Sequence, residues 1–140
     1  LLFVYIGGED KIEEGNIIKI KYIEDENILA QYYSAADIFL YPSVADSFGL
    51  VVAEAHACGL PVVAFKTGGI PEIVDHKKTG YIAEYKNTDD LIRGLEYSLA
   101  LNPSEIEEMK NNAIKKINSN FTLDMMVESY INLYKKILKI

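Results

Sequence analysis

Hydrophobic residues fall along this chain in two rhythms. Five short runs, at 2–6, 17–22, 38–41, 62–65 and 80–83, are rich in Ile, Val, Phe and Tyr and read as strands. Several are continuously apolar rather than alternating, as in parallel strands buried on both faces. Helical spacing fills most of the gaps between them. Ile28, Leu29, Tyr32 and Tyr33 predict a helix over 26–34. Residues 49–58 predict another, stopped by Gly59 and Pro61. Strand and helix alternate, so the expected fold is α/β, an open parallel sheet of about five strands with flanking helices.

Beyond residue 84 the pattern turns wholly helical. Thr88 is placed to cap a helix, with Asp89 and Asp90 at the positive end of its dipole. Asn102-Pro103-Ser104-Glu105 reads as a capping box with Pro at the first helical position. Thr122 is expected to cap a last helix over 123–139. The turn Gly7-Gly8-Glu9-Asp10 leads into a polar stretch to Asn16, where a turn or one short helix is expected.

Composition narrows the function. The formal charge is −7, and residues 1–100 carry 8 basic and 16 acidic side chains. Nucleic-acid binding needs clustered Lys and Arg, so none is expected. The only arginine is Arg93 and the only cysteine is Cys58. No internal disulfide and no multi-cysteine metal site follow from one cysteine, and a reducing compartment fits. No apolar run approaches the roughly 20 residues of a membrane-spanning helix. Leu1 opens the chain at the edge of a strand, so a piece of a longer protein is expected.

In open parallel sheets a ligand sits beyond the carboxyl ends of the strands. Three glycine-bearing turns follow strands here: Gly7-Gly8, Ser47-Phe48-Gly49 and Gly68-Gly69. All three are expected on that one edge. The second feeds a helix start near Gly49 and Leu50, where free amides and the dipole favour an anion. Asp46 lies in the loop, and Glu54 lies eight positions on, within the helix. A carboxylate among Leu50, Val51, Val52, Ala53 and Ala55 is costly to bury unpartnered. A ligand's paired hydroxyls are one partner; exposure to solvent, or a bond to neighbouring backbone, is the alternative.

Four blocks then line up in order. They are Ala36-Asp37-Ile38-Phe39-Leu40-Tyr41-Pro42-Ser43, Asp46-Ser47-Phe48-Gly49-Leu50-Val51-Val52-Ala53-Glu54-Ala55, Gly59-Leu60-Pro61-Val62-Val63-Ala64 and Gly68-Gly69-Ile70-Pro71-Glu72-Ile73-Val74. Together they resemble retaining glycosyltransferases of family 4. The resemblance implies one half of a GT-B fold. Residues 1–140 would be its C-terminal nucleotide-sugar-binding domain, with a Rossmann-like core over 1–100, a helical tail over 101–140, and the N-terminal acceptor domain absent. The family motif is two glutamates separated by seven residues. Glu54 takes the second place, as the ligand of the donor's ribose hydroxyls. Asp46 takes the first, as the catalytic-site acid near the donor sugar. Ser47, Phe48, Gly49 and Leu50 would contact sugar and diphosphate.

This sequence departs from the family in two places. Asp46 stands where the family has Glu, one methylene shorter. Tyr22 stands where it has Gly, so the expected nucleobase loop is Tyr22 and Ile23. The resemblance implies a UDP-, GDP- or ADP-sugar donor, no metal and no other cofactor. It also implies an Arg and a Lys, upstream of this chain, that neutralise the diphosphate. Arg93 and Lys66 are not expected to replace them. The implied activity is hexose transfer to a hydroxyl with retention, by the full-length parent; the chain alone is expected to be inactive. A GT-B-like nucleotide-sugar epimerase domain and a non-catalytic binding module are the alternatives. A cytoplasmic location is expected, at the inner membrane face through the absent domain. His56 is expected to pack, His76 to be solvated, Cys58 to be a small buried hydrophobe and Glu72 to be a first-turn acid. The last helix is apolar over a wide arc, which is expected to favour self-association.

Overall fold

A computed structural model describes residues 1–8 and 12–139. Glu9 and Asp10, part of the first expected turn, lie outside the described residues. Six strands and six helices follow in chain order among the described residues. The chain forms two compact units, Leu1–Tyr32 and Tyr33–Ile140.

In the first unit, β1 (Phe3–Ile6) pairs in parallel with β3 (Ile17–Ile20), from Phe3↔Ile17 to Ile6↔Ile20. A strand β2 (Ile12–Glu14) runs antiparallel to β3 on its other side. This corrects the turn or short helix expected between Gly8 and Asn16. Glu14 pairs with Ile17, leaving Gly15-Asn16 as a two-residue hairpin loop, and Gly15 takes the φ of +60° such a loop needs. Helix α1 (Glu26–Ala35) starts beside Asp25, whose Oδ1 accepts from the amides of Asn27 and Ile28. The boundary between the units falls inside this helix.

In the second unit, β4 (Phe39–Tyr41), β5 (Val62–Phe65) and β6 (Gly80–Ala83) are all parallel, in the order β4-β5-β6. The α/β architecture with parallel strands and flanking helices is as expected. The strands sort into two three-stranded sheets, however, where one sheet of about five was expected. β5 lies in the middle and every residue in it is buried, which is why its sequence shows no alternation. Val63, Phe65, Ala83 and Leu91 form a core there, packed by Ile38, Leu40, Tyr81 and Leu95.

The helices of this unit are α2 (Leu50–Ala57), α3 (Ile70–Ile73), α4 (Thr88–Ala100), α5 (Pro103–Asn120) and α6 (Leu123–Leu138). α2 ends at Gly59, whose φ of +74° lets the Leu60 amide reach back to the Ala55 carbonyl at 2.9 Å. α4 is capped one residue earlier than expected: Asn87, not Thr88, accepts from the Asp90 amide. The Asn102–Glu105 capping box is present on α5, and Thr122 caps α6. α5 buries Met109, Ala113 and Ile117 and packs on α2, whereas α6 buries no residue. No helix among the described residues is long and apolar enough to cross a membrane.

Candidate functional site

The loop from β4 to α2 is built on close backbone contact. Gly49 opens α2 with a φ of +93° and, having no side chain, makes no cap bond to the amides that follow it. Gly68, at a φ of +47°, lies directly against the Asp46 carbonyl, where a Cβ has no room. A Cβ on Gly69 would stand 2.7 Å from the Phe48 carbonyl. Two of the three glycine turns expected on one edge are thus locked backbone to backbone. The third, Gly7-Gly8, belongs to the other unit.

Asp46 organises this loop. Its Oδ1 accepts from the Phe48 amide at 2.9 Å, and its Oδ2 accepts from the Tyr41 hydroxyl. The Tyr41 bond, and behind it the Phe48, Gly49 and Ser47 amides, hold its carboxyl below the usual range against the opposing effect of burial. Asp is short enough to fold back on the amide two residues ahead. Burial first, then the Asp46 bond, raises Tyr41.

Glu54 lies on α2 and is exposed. Its Oε2 accepts from the Tyr33 hydroxyl at 3.4 Å. Tyr33 is 8% exposed, and burial, then the Glu54 charge, pushes its phenol up to about 12. Ser47 and Leu50 are exposed at the mouth of the loop and Phe48 is half-buried against Phe121, with ring centroids 5.8 Å apart. The second unit therefore brings together Asp46, Ser47, Phe48, Gly49, Leu50 and Glu54. Tyr22, 73% exposed, and half-buried Ile23 follow β3 in the first unit.

The other single residues divide clearly. His56 is a fully buried residue of the site helix itself, with Nδ1 3.1 Å from the Leu60 carbonyl and Nε2 3.1 Å from Thr79 Oγ1. His76 is exposed and its Nδ1 accepts from the Ile82 amide. Cys58 is half-buried, and burial raises its thiol. Glu72 is an exposed first-turn acid, Lys66 is exposed, and Arg93 pairs with Asp90 at 3.3 Å. Among the described residues no group of three His, Cys, Asp or Glu is placed to hold a metal. Sequence reasoning missed Tyr33 and Tyr41 as partners of the two acids. Their hydroxyls were the available signal, since a buried phenol needs a partner.

Residues 10–116 match the family described as Glycosyl transferases group 1. This chain belongs to that family. It is 37% identical over 105 residues to a Rhodococcus erythropolis D-inositol 3-phosphate glycosyltransferase, covering 73% of this chain and 24% of that protein. It is 29% identical over 125 residues to a Bacillus anthracis N-acetyl-alpha-D-glucosaminyl L-malate synthase, covering 86% and 32%. Among solved structures it matches sucrose-phosphate synthase from Thermosynechococcus elongatus with a TM-score of 0.78 and 29% identity, over 89% of this chain and 31% of that one. An Anabaena protein, HepE, solved with UDP-glucose, has the same fold, with a TM-score of 0.75 at 23% identity over 88% and 33%. The chain spans about a quarter to a third of the length of the relatives named here.

Proposed function

We propose that this chain is the donor-binding part of a retaining glycosyltransferase of family 4. Its parent moves a hexose from a nucleoside-diphosphate sugar to a hydroxyl acceptor. One observation carries the reading. α2 opens on left-handed Gly49 with no side-chain cap, and the exposed Glu54 carboxylate stands on the same helix, tied to Tyr33. Amides at that helix start suit a diphosphate, and a carboxylate beside it suits a ribose diol. Membership of the family supports the reading, and so does the UDP-glucose complex of the Anabaena relative.

In this reading the opening amides of α2, with Ser47, Phe48 and Leu50 around them, meet the diphosphate and sugar. Negative charge grows on the leaving diphosphate during transfer, and a preset helix start stabilises it without reorganisation. Glu54 fixes the ribose and Asp46 faces the sugar side of the loop. Tyr22 and Ile23, on the first unit, are the candidate nucleobase loop. No metal enters this scheme. The remainder of the parent brings the acceptor and the cations for the diphosphate, so the chain alone is inactive. Its exposed α6 face favours association with a second copy, which sedimentation at rising concentration would register.

The test is calorimetric titration of UDP, GDP and ADP into the full-length parent and into its Glu54→Ala variant. The expected result is heat with one nucleotide, and binding at least about tenfold weaker in the variant, as for loss of a charged hydrogen bond. Equal affinity in the two proteins removes the ribose role.

A further inference from the structure

The two candidate acids share one kind of support. Each accepts from a tyrosine hydroxyl: Asp46 Oδ2 from Tyr41, and Glu54 Oε2 from Tyr33. The two tyrosines come from different elements, Tyr41 from β4 and Tyr33 from the end of α1. One ring joins them. Phe39 meets Tyr33 edge-on at 5.6 Å and stacks on Tyr41 at 5.7 Å between centroids. Tyr33, Phe39 and Tyr41 thus form an aromatic ladder with a hydroxyl at each end and a carboxylate on each hydroxyl.

We propose that this ladder is the positioning element of the donor site, holding Asp46 and Glu54 in place before the nucleotide sugar arrives. The proposal rests on the reading of Glu54 as the ribose ligand. Its physical basis is the freedom of the groups held. A glutamate side chain gives up rotamer entropy when it is ordered. Glu54 is exposed, so without Tyr33 that loss would fall on the binding step. Glu54 Oε1 takes no hydrogen bond among the described residues, which leaves it to a ligand hydroxyl. The ladder itself is rigid: Tyr33 is buried, its neighbour Phe39 carries no polar group, and Tyr41 is half-buried. The hydroxyls therefore have fixed positions and the carboxylates inherit them. Tyr33 and Tyr41 are positioning residues, since each acts through an acid.

Removal of single hydroxyls tests this, because phenylalanine keeps the ring stack. In the full-length parent, Tyr33→Phe is expected to weaken the nucleotide that binds among UDP, GDP and ADP by about threefold to tenfold, as for one hydrogen bond. A double-mutant cycle with Glu54→Ala, which removes the acceptor, separates positioning from general stability. If Tyr33 acts through Glu54, Tyr33→Phe has a smaller effect in the Glu54→Ala background. Equal weakening in both backgrounds overturns the proposal. If Glu54→Ala itself leaves binding unchanged, the ribose reading fails instead; if Glu54→Ala weakens binding and Tyr33→Phe does not, only the ladder fails.

The other rung has its own readout. Asp46 is faced by the Tyr41 hydroxyl from β4 and by the Ser47, Phe48 and Gly49 amides of its own loop. The Gly68 turn adds backbone only, and no charged side chain pairs with Asp46 among the described residues. Tyr41→Phe is therefore expected to raise the carboxyl titration midpoint of Asp46, followed by carbon-detected NMR. An unchanged midpoint overturns this half of the ladder.

Discussion

His56 has no exposed surface, and both ring nitrogens are engaged. The Leu60 carbonyl only accepts, so Nδ1 carries the proton. Nε2 then accepts from the Thr79 hydroxyl, whose oxygen accepts from the Asp75 amide at 2.9 Å. The set closes with neutral histidine. Burial first of all lowers its pKa from 6.5 to about 4; the Leu60 bond and the Asp75 charge oppose that shift, and the Lys116 charge adds to it. The sign follows from linkage. Above pH 6.5 the imidazole is neutral folded and unfolded, and stability is flat. As pH falls from 6.5 towards 4, only the unfolded chain takes up the proton, so the fold loses stability at up to about 1.4 kcal/mol per unit. His56→Leu is expected to remove that slope while costing about 1–3 kcal/mol at pH 7, because the Leu60 carbonyl loses its donor. Urea unfolding at pH 7 and pH 5 measures both, and an unchanged slope would assign it to another group. Gly68 sets a second limit. Gly68→Ala adds a left-handed residue and a clash with the Asp46 carbonyl, whereas Gly8→Ala meets nothing within 4 Å. The first is expected to cost about 2 kcal/mol or more in unfolding free energy, and the second about 1 kcal/mol. Similar costs would mean that the loop yields. Of these roles the sequence discloses only part. Gly49 and the acids stand in a recognisable order, but Tyr33 and Tyr41 stand at apolar positions, and their hydroxyls call for partners without saying which acid each one meets.

Elements were legible where their signals are local. Asn102-Pro103-Ser104-Glu105 contains both halves of its capping box, and the structure has both, Asn102 Oδ1 accepting from Glu105 and Glu105 Oε2 from the Asn102 amide. Thr122 likewise lies one residue before its helix. At α4 the polar residues are continuous, so Asn87 and Thr88 compete, and Asn87 is the cap. β2 was hidden because its sequence, Ile12-Glu13-Glu14, is polar and three residues long. Its one cue was Gly15-Asn16, a two-residue hairpin signal. Cap loss has a defined consequence here. Asn102→Ala is expected to lower stability by about 1 kcal/mol, read by thermal unfolding. The effect reaches the site side, because α5 packs on α2 and Gly59 sits against Ile114. α6 behaves differently. It is capped at Thr122 yet has no fully buried residue, and a helix of 16 residues with so little burial is marginal in water. Its amides are expected to exchange with solvent much faster than those of α2 and α5 in hydrogen-exchange mass spectrometry. Equal protection would mean that α6 is held by packing in solution.

At the scale of the molecule, charge and site point in opposite directions. The chain carries −7, and the ligand proposed for it is itself an anion. Of the cations on this chain, Lys66 is exposed at the exit of β5 and Arg93 is paired with Asp90. The contact proposed above for the diphosphate is neutral, the amides at the start of α2. Amides act at short range and are hardly screened, whereas the net charge acts through solvent within a Debye length of about 8–10 Å near physiological salt. Raising salt therefore screens repulsion and leaves attraction in place. For this chain alone, nucleoside diphosphate affinity is expected to be weak and to stay level or rise between low and moderate salt. A protein that meets the same diphosphate with an Arg and a Lys loses ion pairs to screening, so the full-length parent is expected to bind more tightly and to weaken as salt rises. Titrations of UDP, GDP and ADP into both proteins at two salt concentrations compare the slopes. A falling affinity in the chain alone would mean that its own lysines reach the phosphates, and the amides of α2 would no longer be the main anion contact. A level slope in the parent would mean that its cations lie elsewhere. The combination of a level chain and a falling parent divides the diphosphate site between a neutral helix start on this chain and positive side chains outside it.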